Sequence, residues 1–263
     1  MCLIIAGWQA HPDYPLVVAA NRDEFVNRPA VPAHWWPDAP HLLAGRDLEA
    51  GGTWLGISRS GRFSALTNFR DPSQRASGLP SRGALVRAAL EASSGPRETL
   101  DNIARNSADY AGFNLLVSDG AQFGIHESTT GTVRLLAPGV YGLSNHVLDT
   151  EWPKLKRARE AFSAALHTLP DSRAFLTLLR DTTPVADDQL PDTGVSLEWE
   201  RRLSTAFIDS PTYGTRCSTL LTVDRSGEVR FTEWTWLPGA RQHSMVTHRF
   251  GVDASRGEQS PRP

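Results

Sequence analysis

The sequence predicts one α+β domain in which antiparallel hairpins are interspersed with groups of helices. Three observations predict it. Short apolar runs are joined in pairs by glycine-bearing turns at Ser60-Gly61, Asp119-Gly120 and Ser226-Gly227, and such dipeptides between strand-like runs are strong local hairpin signals. Helical spacing of apolar residues is confined to stretches between those hairpins. The 263 residues show neither an internal repeat nor a linker that would split them, and one large sheet-rich domain reaches that length. Two antiparallel sheets packed face to face and covered by helices would use all the pieces.

Taken in order, residues 3–8 and 16–21 read as strands joined by His11-Pro12-Asp13-Tyr14-Pro15. Residues 27–40 hold Pro29, Pro32, Pro37 and Pro40 and read as a loop, because proline has no N–H to give a ladder. Residues 53–58 and 62–68 form a hairpin, as do 113–118 with 122–127 and 218–224 with 228–236. Two further strands are expected at 132–136 and 141–144. Residues 81–92 carry Leu85, Ala88, Ala89 and Leu90 in a helical pattern. The helix at 96–104 opens on Pro96, a favoured first-turn residue. Residues 153–168 place Leu155, Ala158, Phe162 and Ala165 at helical spacing. Asp171 or Ser172 can cap a helix at 173–180, whose apolar face is Phe175, Leu178 and Leu179. Residues 181–194 are acidic and proline-bearing, so they read as a loop. The domain is expected over 1–253, with 254–263 a polar tail.

Composition narrows the function classes. A net charge of -2 argues against nucleic-acid partners, which need a basic face to neutralise phosphates. No apolar stretch reaches membrane-span length, and no basic segment precedes an apolar one as in a secretory signal. Cys2 and Cys217 are the only cysteines, too few for a disulfide framework. A reducing, cytoplasmic location is therefore expected. No histidine pair has metal-helix spacing, so no metal site is expected. Gly51-Gly52 precedes a strand rather than a helix and reads as a tight turn, not a phosphate cradle.

Cys2 carries the most chemical information. It follows the initiator Met and opens the apolar run Leu3-Ile4-Ile5-Ala6. Cysteine is small enough for Met1 to be removed, which would leave one residue with a thiol and a free α-amine. The amine, with an ordinary pKa of about 7.7–8.0, is a usable base near neutral pH. A nucleophile and base on one residue is the chemistry of N-terminal-nucleophile hydrolases. The alternative is a small buried thiol at the start of a strand. Asn21-Arg22-Asp23-Glu24 follows the second strand, where site residues commonly sit; the same tetrad would also serve as a solvated turn.

Cys2 and that tetrad are followed in order by Gly51-Gly52-Thr53-Trp54-Leu55-Gly56, Leu66-Thr67-Asn68 and Gly112-Phe113-Asn114-Leu115. Tyr141-Gly142-Leu143-Ser144-Asn145 and Tyr213-Gly214-Thr215-Arg216 complete the series. This set, running from residue 2 to about Phe250, resembles the NRDE family, also called the transport and Golgi organisation protein 2 family. The resemblance implies the four-layer αββα fold of N-terminal-nucleophile hydrolases, nearest the choloylglycine hydrolase and penicillin V acylase branch. It implies Cys2 as nucleophile, Arg22 beside it, Asn68 and Asn145 as oxyanion donors, and Arg216 as a cation that could hold a substrate carboxylate or another site group. In the acylases an Asp three positions past the Arg binds the α-amine. Phe25 stands there in this chain, and Asp23 is the candidate replacement. Asn21, Trp54 and Tyr213 are expected to contact substrate.

Physically, Arg22 would favour the Cys2 thiolate, and each oxyanion donor is typically worth roughly 2.7–4 kcal/mol in the transition state. Glu24 could partner Arg22, or be exposed. Trp35-Trp36 could form a pocket lid or pack, and Cys217 could adjoin the site or simply be buried. Two functions follow. One is hydrolysis of a small acyl-amide with no cofactor. The other, implied by the family's link to haem trafficking, is a haem carrier on the same fold. Oligomeric state is not readable from the residues.

Overall fold

The computed structural model describes residues 2–73, 78–239 and 241–253; the expected tail lies outside them. Two antiparallel sheets form the centre. The first is ordered β10 (Gly139–Leu143), β1 (Cys2–Trp8), β2 (Leu16–Phe25), β11 (Tyr213–Val223), β12 (Glu228–Leu237) and β13 (Arg241–Gly251). The second is ordered β3 (Ala30–Trp36), β4 (Ala39–Asp47), β5 (Leu55–Ser58), β6 (Phe63–Asn68), β7 (Phe113–Ser118), β8 (Phe123–Glu127) and β9 (Thr132–Leu135).

Strand alternation assigns each side chain to a layer. From the first sheet, Ile4, Ala6, Val18, Leu221 and Phe231 meet Leu43, Ile57, Phe63, Leu116 and Ile125 of the second in a central core. The intervening residues Leu3, Ile5, Val17 and Ala19 face outward onto Phe162 of α3 (Pro153–Leu166) and Phe175 of α4 (Arg173–Leu179). On the far side, Leu66, Leu115 and Val117 pack on Leu85 and Val86 of α1 (Gly83–Glu91) and Leu100 of α2 (Pro96–Ala104). Helix, sheet, sheet and helix are thus stacked as four layers, the fold class expected from the sequence. Burial on both faces explains why β1 and the first half of β2 read as continuous apolar runs rather than alternating ones.

Residues 27–40 depart from expectation. They form β3 and the start of β4 instead of a loop. β3 is an edge strand with register shifts between Val31 and His34 and between Trp35 and Trp36, and edge or bulged positions are where a sheet accepts proline. Trp36 is buried and its Nε1 donates to the Ala44 carbonyl, while Trp35 packs on Phe250; the pair packs the sheet and is no lid. β13 was not expected, because its sequence is polar and, at the sheet edge, largely exposed. α5 (Leu197–Leu203) was also not expected; Ser196 caps it by accepting from the Trp199 N–H. Residues 181–194 contain only a short 3-10 turn at Asp187–Gln189. β2 continues to Phe25, four residues beyond its predicted end at Asn21, and this sets the site.

Glu233 on β12 is buried between the sheets, where it accepts from the Ala33 N–H at 2.8 Å. Burial pushes its carboxyl up to about 7 from an ordinary 4.5. The folded state therefore binds more protons than the unfolded state between those values, and stability falls as pH rises through that window. Above it the cost is on the order of 3 kcal/mol. Glu233→Gln is expected to raise the melting temperature more at pH 8 than at pH 5. Equal shifts at the two pH values would contradict the assignment.

A cysteine-bearing candidate active-site cleft

The Cys2 and Arg22 Cα atoms are register partners across β1 and β2. Directly opposed residues of an antiparallel pair project from the same face, so both side chains lie on the inter-sheet side at the sheet's end. A cleft of about 340 Å³ opens there, lined by Cys2, Arg22, Asp23, Trp54 and Asn68 among others. The sequence motifs therefore converge in five of their expected residues. Cys2 is half-buried, whereas Cys217 is buried.

Arg22 is buried and its NH2 donates to Asp47 Oδ2 at 2.8 Å. Its guanidinium also lies over the Trp54 ring, 4.3 Å from the centroid. Asp47, not Glu24, is thus its carboxylate partner. Arg28 holds the same Asp47 through Nε at 2.6 Å and reaches Glu49 at 3.2 Å. Burial alone would raise Asp47, but the Arg28 bond, the Ala50 N–H and the Arg22 charge outweigh it and hold the carboxyl below its ordinary value.

The Cys2 thiol departs from the expected thiolate. Burial is the main cause pushing it above the ordinary value, and Asp23 adds to this, while Arg22 and the Asp23 backbone N–H oppose it. Arg22 favours the thiolate as expected, yet desolvation wins, since much of its charge is met by Asp47. Asp23 accepts from Thr215 Oγ1 at 2.7 Å. Burial raises its carboxyl, with Lys154 and Thr215 acting the other way. Lys154 is itself buried, donates to the Leu203 carbonyl at 2.7 Å, and is lowered to about 8 chiefly by desolvation.

Four expected site residues lie off the cleft lining. Asn21 falls between Ala20 and Arg22 on a continuing strand and so points to the helix side. Its Nδ2 donates to the Leu179 and Ala206 carbonyls, both at 2.8 Å, and its Oδ1 accepts from Ser218 at 2.6 Å. It ties sheet to helix layer and has no hydrogen left for substrate. Tyr213 is buried and its hydroxyl donates to the Asp23 carbonyl at 3.0 Å. Arg216 sits at the irregularity between Thr215 and Cys217. Its NH1 donates to the Val26 carbonyl, and it lines a separate small pocket with Phe207, Ile208 and Trp236.

Asn145 is fully buried, and its Nδ2 donates to the Asn68 carbonyl at 2.8 Å. Its own carbonyl accepts from the Arg70 N–H at 2.8 Å. It clamps the end of β6 instead of facing the cleft. Asn68 is the asparagine on the cleft wall, and among the described residues nothing hydrogen-bonds its side chain. Ser144 Oγ donates to the Cys2 carbonyl at 3.2 Å, which ties the same turn to β1.

Arg28, Asp47, Glu49 and Arg82 complete the charged wall and were not anticipated. Gly52 brings two segments of that wall together. A Cβ there would come within 2.6 Å of the Gly83 backbone, and Thr53 N–H donates to the Gly83 carbonyl at 3.3 Å. The close approach, more than a turn, is what requires glycine at that position.

Fold and cleft together define a four-layer α+β protein with a cysteine-bearing cleft at the start of its first strand. The family model for Transport and Golgi organisation 2 matches residues 1–238, and the chain belongs to that family. It is 35% identical over 280 residues to the Bos taurus Transport and Golgi organization protein 2 homolog, covering 97% of this chain and 100% of that one. The Mus musculus homolog is 34% identical over 260 residues, covering 90% and 94%. Among solved structures, the C2A mutant of conjugated bile acid hydrolase from Clostridium perfringens aligns at TM-score 0.49 and 9% identity, covering 98% of this chain and 100% of its own. No helix among the described residues is long and apolar enough to cross a membrane.

Proposed function

We propose that this protein is an amide hydrolase whose nucleophile is Cys2, made N-terminal by removal of Met1, and whose substrate is a small acyl-amide. The observation that carries this reading is the position of the thiol. Cys2 is half-buried at the head of β1 and opens on a cleft it shares with Arg22, Asp23 and Asn68.

The chemistry follows from those groups. The thiol sulfur attacks the amide carbonyl while the α-amine takes the thiol proton. Taking the proton during attack suits a thiol that burial keeps protonated at rest. The Asn68 side chain donates to the oxygen that gains charge. The amine then returns its proton to the leaving nitrogen, the C–N bond breaks, and water hydrolyses the resulting thioester. In this reading Asp23, which lines the same cleft, holds the α-ammonium. Asn145 acts through Asn68 as a positioning residue.

A haem carrier is the other function expected from the family. The donor set fits it poorly: the cleft lining offers one soft ligand, the Cys2 sulfur, and no histidine. We therefore favour hydrolysis.

Two measurements test the proposal. Intact-mass analysis of untagged protein is expected to show loss of Met1; a retained Met1 removes the free amine and with it the mechanism. An acyl-amide library followed by mass spectrometry is expected to yield a free acid and amine. Saturable haem binding with no amide consumed would favour the carrier.

A further inference from the structure

The cleft carries a third guanidinium that the mechanism does not use. Arg82 is the half-buried residue immediately before α1, and its NH1 donates to the Gly112 carbonyl at 3.0 Å. The other two cleft cations, Arg22 and Arg28, both close on Asp47, and Arg28 also reaches Glu49. Among the described residues, no carboxylate forms an ion pair with Arg82. Cys2, Glu24 and Arg28 are the charged or ionisable groups that act on it across the cleft.

We propose that Arg82 binds a carboxylate of the substrate, so that this cleft selects N-acylated amino acids over neutral lipid amides; the proposal rests on the hydrolase reading of the same site. With NH1 held by Gly112, the Nε and NH2 hydrogens remain as a parallel pair, the geometry that takes a carboxylate in two bonds. The backbone that carries this group is also fixed in place. The Gly83 carbonyl beside it is held by the Thr53 N–H, and Gly52 packs directly on Gly83. A partly desolvated guanidinium gains most from an anionic partner. A neutral group in the same place leaves it short of one, and discrimination of this kind rests on the unmet charge.

The test uses protection of Cys2 from iodoacetamide, read by peptide mass spectrometry on the full chain, with hexanoylglycine and the neutral hexanoylglycinamide as probes. In wild-type protein the acid is expected to protect at about tenfold lower concentration than the amide, as a charge-assisted bond implies. Arg82→Gln should erase that preference, and Arg82→Lys should keep part of it. A merely structural Arg82 would change protection by both probes alike. Equal protection in wild-type protein overturns the proposal even if Arg82→Gln fails to fold. Protection does not depend on turnover. A retained acid preference without hydrolysis would sink only the hydrolase reading, and hydrolysis without the preference would sink only the role of Arg82.

Discussion

Cys2→Ala is expected to abolish amide turnover, by about 10⁴-fold or more, while leaving the fold intact. Nucleophile removal in hydrolases of this chemical logic costs rate on that scale, because the remaining groups act only on a bond the nucleophile must first attack. The stability effect should stay within about 1 kcal/mol, since Cys2 as a residue is only half-buried and takes no part in an apolar core. Alanine is also small, so the proposed removal of Met1 should still occur and leave the α-amine in the variant. Ligand binding should then persist without product, because remote contacts supply ground-state affinity and the sulfur supplies reaction. The measurement is hydrolysis by mass spectrometry beside a thermal melt. Product formed at an undiminished rate by a folded Cys2→Ala protein would end the assignment. Cys217 cannot substitute for the lost thiol. It is buried, desolvation holds it well above the ordinary thiol range, and Glu233 reinforces that shift.

Part of the candidate cleft is legible in motif order. Cys2, Arg22, Asp23, Trp54 and Asn68 meet in one cleft although they come from separate parts of the chain. What failed has physical reasons. The charged tetrad interrupts the apolar run, so the pattern alone ends the strand at Asn21. Continued to Phe25, its alternation sends Asn21 to the helix side and Arg22 to the cleft. Asp47, the partner of Arg22, belongs to a strand that opens in a proline-bearing stretch read as a loop. Arg216 sits at an irregularity in β11, where an extra residue breaks the two-residue period and parity gives no direction. Asn145 and Asn68 share a residue type and a motif-end position; only the packing shows that one holds the other in place. The hairpins and most of the helices were legible because their signals are local, whereas their stacking into four layers was implied by the family resemblance and not by periodicity. β13 was not, because a polar edge strand has little apolar alternation to find.

Asp47→Ala is expected to cost about 3–5 kcal/mol, the usual penalty for breaking a buried ion pair by removing one partner. Asp47 accepts from Arg22 at 2.8 Å, from Arg28 at 2.6 and 3.2 Å, and from the backbone N–H groups of Glu49 and Ala50 at 3.1 and 2.9 Å. Removing it strands the buried Arg22 charge and releases the turn that follows β4. For a domain of this size the melting temperature should fall by about 10 °C. The pH dependence has a definite sign. The Asp47 carboxyl is held below its ordinary 3.8 in the fold. Its contribution is therefore fully present above the unfolded value of about 3.9 and is lost as pH falls through the folded one. The difference in melting temperature between wild type and variant should stay level from pH 5 to pH 8 and narrow below about pH 4. A chemical readout separates this from simple loss of packing. With Asp47 gone, the Arg22 charge is no longer neutralised beside Cys2, so the thiol pKa should drop and alkylation by iodoacetamide at pH 7 should quicken. A variant that melts within 2 °C of wild type, or whose Cys2 reacts more slowly, would show that Arg22 and Asp47 do not form the electrostatic unit beside the thiol.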